Sequence, residues 1–425
     1  MEIDIQSLKT YNELARSGGE SAAQALAELT GLETRVEVTD VSLLSTADLE
    51  YEFAGREFAG VEVGLGDPLS GTTVLAFDAD GRKTITRGLV PNAGGEAPDH
   101  DLDPDLTESA IVEAGNIMVN GFVSGWADHL ETKVEVSPPD YVEGAGVAVL
   151  PEDLTEDEYV VVFRSRVDAV DEDVSFRMLL FPELASLERL LETRPDDPDD
   201  GSVGRGRIPL EKLEVFSEMT ERGSAKAADN VANMTQLSTA VEVNRLRFVP
   251  LVDVPTHVSD RRRIGTVVQF DGTPSGHLAI LFDPGAARTA VGALPFIDLE
   301  PDGDEAGEGE IEWAGRRREA LEELGNVIAS GFIDGWANVL ETSIEHSPPA
   351  FVDDMGSSIV SPIIADVGRE ENYAFLLDSA IRIGDTDTLQ CQLFAVPRPA
   401  ELESALDDLL VERADETDVD PDDLF

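Results

Sequence analysis

Apolar residues recur at helical spacing over residues 7–30 and again over 106–131. After each stretch the pattern switches to alternation rich in β-branched residues. The first half therefore predicts a helix near 7–30 and strands near 34–42, 59–66 and 72–79. The second predicts a helix near 106–131, strands near 132–137, 158–168 and 173–181, and a closing helix near 183–193. The clearest strand is YVVVFRSRV, from Tyr159 to Val167. Two half-repeats of one plan, a long helix followed by three strands, lie roughly 100 residues apart.

The whole pattern then recurs. Residues 115–142 (GNIMVNGFVSGWADHLETKVEVSPPDYV) and 325–352 (GNVIASGFIDGWANVLETSIEHSPPAFV) agree at 15 of 28 positions, at an offset of 210. A weaker echo at an offset of 205 matches Glu13 with Glu218, Gly18 with Gly223, and Val36-Glu37-Val38 with Val241-Glu242-Val243. The chain is a tandem duplication, with domains expected at 1–193 and 207–413. The Asp/Pro/Gly-rich stretch 194–206 is the expected acidic linker, and 414–425 an acidic tail expected to be disordered. Similar acidic segments, 92–105 and 299–310, separate the half-repeats inside each copy.

Placed on a helix, Ser109, Glu113, Asn116, Asn120 and Ser124 share one narrow face, opposite Ile111, Gly115, Met118, Phe122 and Trp126. The second copy repeats this with Glu319, Glu323, Asn326, Ser330 and Asp334 outside and Leu321, Gly325, Ile328, Phe332 and Trp336 inside. The apolar stripes, tryptophans included, are core, and Gly115, Gly121 and Gly125 are placed for close helix packing. Asn is a poor residue in mid-helix, because its amide competes for backbone hydrogen bonds. It nevertheless stands three residues after a Glu in both copies, and 22 residues then separate it from a proline, Pro139 or Pro349. An E-x-x-N pair alone reads as a solvated helical face; the repetition and the spacing to proline set this pair apart.

Composition narrows the setting. The 425 residues carry 87 acidic against 31 basic side chains, a net charge of -56, with only five lysines (Lys9, Lys83, Lys133, Lys212 and Lys226). The acids are spread along the chain, which fits a cytosolic protein adapted to high salt better than an acidic block built for a basic partner. No basic stripe exists to follow a nucleic-acid backbone. No apolar run approaches the roughly 20 residues that span a bilayer. Met1 to Asp4 lead straight into an amphipathic stretch, so no leader is expected, and a cytoplasmic location is. The lone cysteine, Cys391, excludes an internal disulfide and reads as a buried small hydrophobe. No His or Cys cluster marks a metal site.

The array S/D-x(3)-E-x(2)-N-x(22)-P resembles the motif of the CheC, CheX and FliY phosphatases. Ser109-Glu113-Asn116-Pro139 fits it fully; Glu319-Glu323-Asn326-Pro349 fits except for Glu at its head. The resemblance, to a tandem halophilic archaeal form of this family, implies an α+β fold. Each domain would be a pseudo-twofold pair of helix-plus-strands half-repeats with a mostly antiparallel sheet. It also implies an activity, hydrolysis of the aspartyl phosphate of a CheY-like response regulator, which ends a chemotaxis signal. Asn116 and Asn326 would position the attacking water, while Glu113 and Glu323 would dock the receiver's lysine. Ser109 and Glu319 would support or dock, and Pro139 and Pro349 would shape the strand exit. No cofactor of the chain's own is implied, since the response regulator supplies Mg²⁺. CheD, a receptor deamidase, is a further implied partner, and no residue marks its surface. The family's second site, on the first helix, is lost: Arg16 and Thr39 follow Glu13, and Glu221 and Asn244 follow Glu218, where Asn and Pro belong. A non-catalytic motility adaptor that binds CheY-P or CheD is the alternative, and such a scaffold would have no reason to keep Glu and Asn in both copies.

Overall fold

Helical spacing at the start of each copy becomes a 26-residue helix in the computed structural model, Ile5–Thr30 in the first and Leu210–Thr235 in the second. The second amphipathic stretch forms Pro104–His129 and, in the other copy, Arg316–Val339. Pro104–His129 and Arg316–Val339 are the site helices, and the first pair the leading helices. The structure describes residues 2–3, 5–31, 33–89, 103–129, 132–151, 154, 159–169, 175–183, 185–186, 189, 208–258, 261–294, 313–368, 372–384 and 390–409. The chain divides into two units, Met1–Arg207 and Ile208–Phe425. The expected linker 194–206, the segment 299–310 and the tail 414–425 lie outside the described residues, as do nearly all of 92–105 and most of the closing helix near 183–193.

In the first unit the strands run in the order Thr34–Ser45, Tyr159–Ala169, Ser175–Pro182, Gly71–Phe77, Glu57–Leu65, Asp140–Ala145, and every neighbouring pair is antiparallel. The half-repeats therefore interleave. The first strand of each half pairs with the second strand of the other, and the two third strands meet in the middle. The second unit repeats the order with Thr239–Pro250, Tyr373–Ile383, Gln390–Pro397, Gly276–Phe282, Arg262–Asp271 and Ala350–Met355. Each unit is thus α+β with an antiparallel sheet and an internal pseudo-twofold, as expected.

The leading and site helices of each copy pack together on one face of their sheet. Gly125 faces the backbone oxygen of Ser17, which a Cβ would approach to 2.7 Å, and a Cβ on Gly335 would lie 2.4 Å from Gly223 Cα. Trp126 and Trp336 are fully buried, each edge-on to a phenylalanine of the sheet or its loops, Phe163 at 5.3 Å and Phe270 at 5.7 Å. The opposite face is covered by short elements that the periodicity did not predict. In the first unit Thr46–Phe53 and the 3₁₀ turn Gly146–Val149 lie over Phe58, Val74, Val162 and Leu179. In the second, the helix Gly356–Val367 lies over Leu281, Leu376 and Phe394. No helix among the described residues is long and apolar enough to cross a membrane. Cys391 is fully buried between strands, and burial pushes its thiol pKa up, so it is an inert core residue.

One strand expectation is corrected. Residues 132–137 make a single bridge, Val136 to Leu65, and the ladder resumes only at Asp140. Pro138 and Pro139 have no N–H to donate, so the regular rungs begin beyond them.

Candidate active site

The face expected to carry the chemistry is on the outside. Ser109, Glu113, Asn116, Asn120 and Ser124 are all exposed, whereas Ile111, Met118, Phe122 and Trp126 are at most 2% exposed. In the second copy Glu319, Glu323 and Asp334 are exposed, and Asn326 and Ser330 are half-buried. Among the described residues neither Glu113 nor Glu323 has an ion-pair partner, so both carboxylates face water unneutralised.

Gly115 and Gly325, the glycines inside E-x-G-N, set the height of this face above the sheet. A Cβ on Gly115 would lie 2.3 Å from Val61 Cγ2, and one on Gly325 would lie 2.2 Å from Thr266 Oγ1. Gly121 and Gly125 do serve helix-to-helix contact as expected; Gly115 serves contact with a strand instead. Gly115→Ala should therefore destabilise the first unit by about 1–2 kcal/mol, the clash outweighing the better helix propensity of Ala. Combining it with Val61→Ala should recover part of the loss beyond additivity in a double-mutant cycle of thermal unfolding. Strict additivity would show that the contact does not set the helix height.

The SPP segment ties the site helix's exit to the sheet. Ser137 donates its backbone N–H to Gly64 O (2.8 Å), and Gly64 donates its N–H to Ser137 Oγ (2.9 Å). The side-chain oxygen thus takes the place of a ladder carbonyl. Ser347 and Gln269 repeat both bonds at 2.8 and 3.0 Å. Pro139 and Pro349 were expected at a strand exit; they stand instead immediately before the edge strands Asp140–Ala145 and Ala350–Met355, because the regular ladder starts only after them.

Details differ between copies. Ser109 turns its hydroxyl back to Asp105 O (2.8 Å), as a solvated helical serine does. Asn120 donates Nδ2 to Asn116 O (2.6 Å) and to Asn116 Oδ1 (3.0 Å). Ser330, at the matching position, donates to Asn326 O (2.9 Å), and its Oγ lies 3.0 Å from His346 Nε2. Beside the first site helix Tyr141 donates its hydroxyl to Glu143 (3.1 Å), which also pairs with Arg82. Burial first, then that hydrogen bond and the Glu143 charge, push the phenol's pKa up to about 12. In the second copy Phe351 replaces the tyrosine and lies under the Arg318 guanidinium, 5.1 Å from the ring centroid.

The positions on the leading helices look different. Arg16 is exposed beside Glu20 at 3.4 Å, and Glu221 is exposed. Asn244 is buried, donating to Ser217 O (2.9 Å) and accepting from Ser379 Oγ (2.6 Å), so it belongs to the core. Among the described residues no group of three His, Cys, Asp or Glu side chains could hold a metal ion.

Residues 106–143 and 318–352, one segment in each copy, match the model of the CheC-like family. The CheC1 protein of Halobacterium salinarum is 30% identical to this chain over 197 residues, which are 45% of this chain and 97% of that protein. The chain belongs to the CheC-like family. The CheY-P phosphatase CheC of Bacillus subtilis is 24% identical over 200 residues, covering 44% of this chain and 93% of its own length. Each match spans about one copy, so this chain holds two CheC-like copies. Among solved structures, Thermotoga maritima FliY aligns with 19% identity and a TM-score of 0.38 over 45% of this chain and 97% of its own. CheX of Desulfovibrio desulfuricans aligns with 12% identity and a TM-score of 0.30 over 40% and 99%.

The CheC-like helix face was found by sequence reasoning. Ser137, Ser347, Asn120 and His346 were not assigned roles, although the repeat itself held the signal. Both SPP serines recur at one spacing, and Asn120 and Val136 are exchanged together for Ser330 and His346.

Proposed function

We propose that this chain is a cytoplasmic chemotaxis phosphatase that hydrolyses the aspartyl phosphate of a CheY-like receiver, with one working site on each site helix. The observation that carries this reading is the Glu–Asn pair presented on the same outward face in both copies, with the carboxylate unpaired among the described residues. The family membership and the name of the Bacillus subtilis relative support it.

The chemistry asks little of such a protein. The receiver brings the acyl phosphate and the Mg²⁺ that neutralises its charge. What remains is to hold a water in line with the P–O bond that breaks. A carboxamide suits that task because it accepts from the water through its oxygen and donates through its nitrogen at once. Asn116 and Asn326 fill this role, entering beside the phosphate when the helix docks. Glu113 and Glu323 meet the receiver's active-site lysine and fix the register of docking. Water then attacks phosphorus and the phosphorus–carboxylate oxygen bond breaks; inorganic phosphate leaves carrying the water's oxygen and protons, and the receiver keeps its aspartate as a free carboxylate. Ser109 and Glu319 head the motif as solvated positions. CheD remains a further proposed partner, with no surface assigned to it.

Phosphorylated receiver domains from the same cell, followed with and without the full chain, test the reading. Faster loss of phosphate is expected; binding without faster loss would establish the adaptor alternative. Glu113→Gln, made with Asn326→Ala so that only the first copy is read, should weaken receiver binding about tenfold even at high salt, because a close charge pair is poorly screened. A loss confined to dilute buffer would remove the Glu–lysine contact from the mechanism.

A further inference from the structure

We infer that Asn120 is a positioning residue that locks the carboxamide of Asn116, and that the second copy lacks this lock; the inference rests on the phosphatase reading above. Asn120 lies one turn beyond Asn116 on the same exposed face. Its amide nitrogen sits 2.6 Å from the backbone oxygen of Asn116 and 3.0 Å from Asn116 Oδ1. The two protons of one NH₂ group account for both bonds.

The assignment of O and N follows from chemistry. The backbone oxygen of Asn116 can only accept, so the Asn120 atom facing it must be the donor nitrogen. That nitrogen in turn can be met only by an acceptor, so Asn116 turns Oδ1 toward it. The outward part of the Asn116 amide is therefore fixed as both Nδ2 protons and the second lone pair of Oδ1. This is the set a water-positioning amide needs, an acceptor for the water's proton and donors for a phosphoryl oxygen. An unrestrained asparagine would spend part of its time with the amide reversed.

The second copy is built otherwise. Ser330 has one proton, and it already serves Asn326 O at 2.9 Å. Its oxygen also lies 3.0 Å from His346 Nε2, while His346 Nδ1 lies 3.0 Å from the carbonyl of Ser347. The side chain at this position reaches toward the helix exit, and among the described residues the Asn326 amide has no neighbouring lock. Val136 stands where His346 does, so the exchange involves two residues together. The sites are therefore unequal, and the first turns over faster at saturation.

Steady-state dephosphorylation of a phosphorylated CheY-like receiver by the full chain tests this. With Asn326→Ala in place, Asn120→Leu (similar size, uncharged, no donor) and Asn120→Ser (the second copy's residue) should each lower kcat about fivefold, the worth of one neutral hydrogen bond. KM and the melting midpoint should stay unchanged. With Asn116→Ala in place, Ser330→Asn/His346→Val should raise the kcat of the second site by a similar factor, a gain that loss of packing cannot produce. Unchanged kcat in both Asn120 variants, or a rise in KM alone, would overturn the inference while leaving the phosphatase reading intact. Absence of turnover by the Asn326→Ala parent, with the unsubstituted chain equally inactive, would overturn the reading beneath it and the inference together.

Discussion

Replacing Asn116 and Asn326 together by alanine should abolish the acceleration of receiver dephosphorylation, a loss of about a hundredfold or more at saturating receiver, with the fold intact. The size follows from what these amides do. In the proposed mechanism the receiver supplies phosphate and charge neutralisation, and alignment of the water is nearly all that is left for the CheC-like chain to contribute. The stability forecast follows from their place. Asn116 is exposed and Asn326 half-buried, so neither truncation opens a cavity, and Ala is the better helix former. Binding of the receiver should persist, because Glu113 and Glu323 remain. The measurement is the decay of phosphorylated receiver with the double variant, beside its melting curve. Undiminished phosphatase activity in a folded double variant would rule out the mechanism.

Salt should move stability further than any single substitution. Pairing every basic residue with a carboxylate would still leave 56 negative charges on the chain. At about 0.1 M salt the screening length is roughly 10 Å and those charges repel across the surface; at about 1 M it is roughly 3 Å and they largely do not. The melting midpoint should rise by about 10 °C or more between about 0.1 M and about 4 M KCl, equivalent to several kcal/mol in units of this size. A flat profile would defeat adaptation to high salt and favour a surface meant for a basic partner.

The exposed face of the helix was legible because helical periodicity alone decides which residues share a face. Once Met118 and Trp126 are assigned to the core, Glu113 and Asn116 must point away from it. The interleaved order of the sheet was not legible, since alternation in Tyr159–Val167 marks a strand without naming its partner. The strand at 132–137 was misplaced because Val134 and Val136 alternate correctly, while the ladder depends on N–H groups that Pro138 and Pro139 lack. The short helices Thr46–Phe53 and Ala79–Leu89 were missed because few residues in each carry the apolar stripe. Asn120 and His346 escaped for a further reason: each meets another side chain, Asn116 or Ser330, and no periodicity encodes which side-chain atoms face each other.

The pairing of first strands with the opposite half has a consequence for how such a chain can arise. Thr34–Ser45 finds its partner in Tyr159–Ala169, and Asp140–Ala145 finds its own in Glu57–Leu65. A gene fragment encoding one half alone would leave its own first strand without the partner it has here. Such a fragment offers selection nothing folded to keep unless it meets a second copy of itself. Once the halves were fused and had diverged, the smallest piece that could be gained or lost without harm was the whole copy. The 210-residue spacing between Asn116 and Asn326 is the length of that piece.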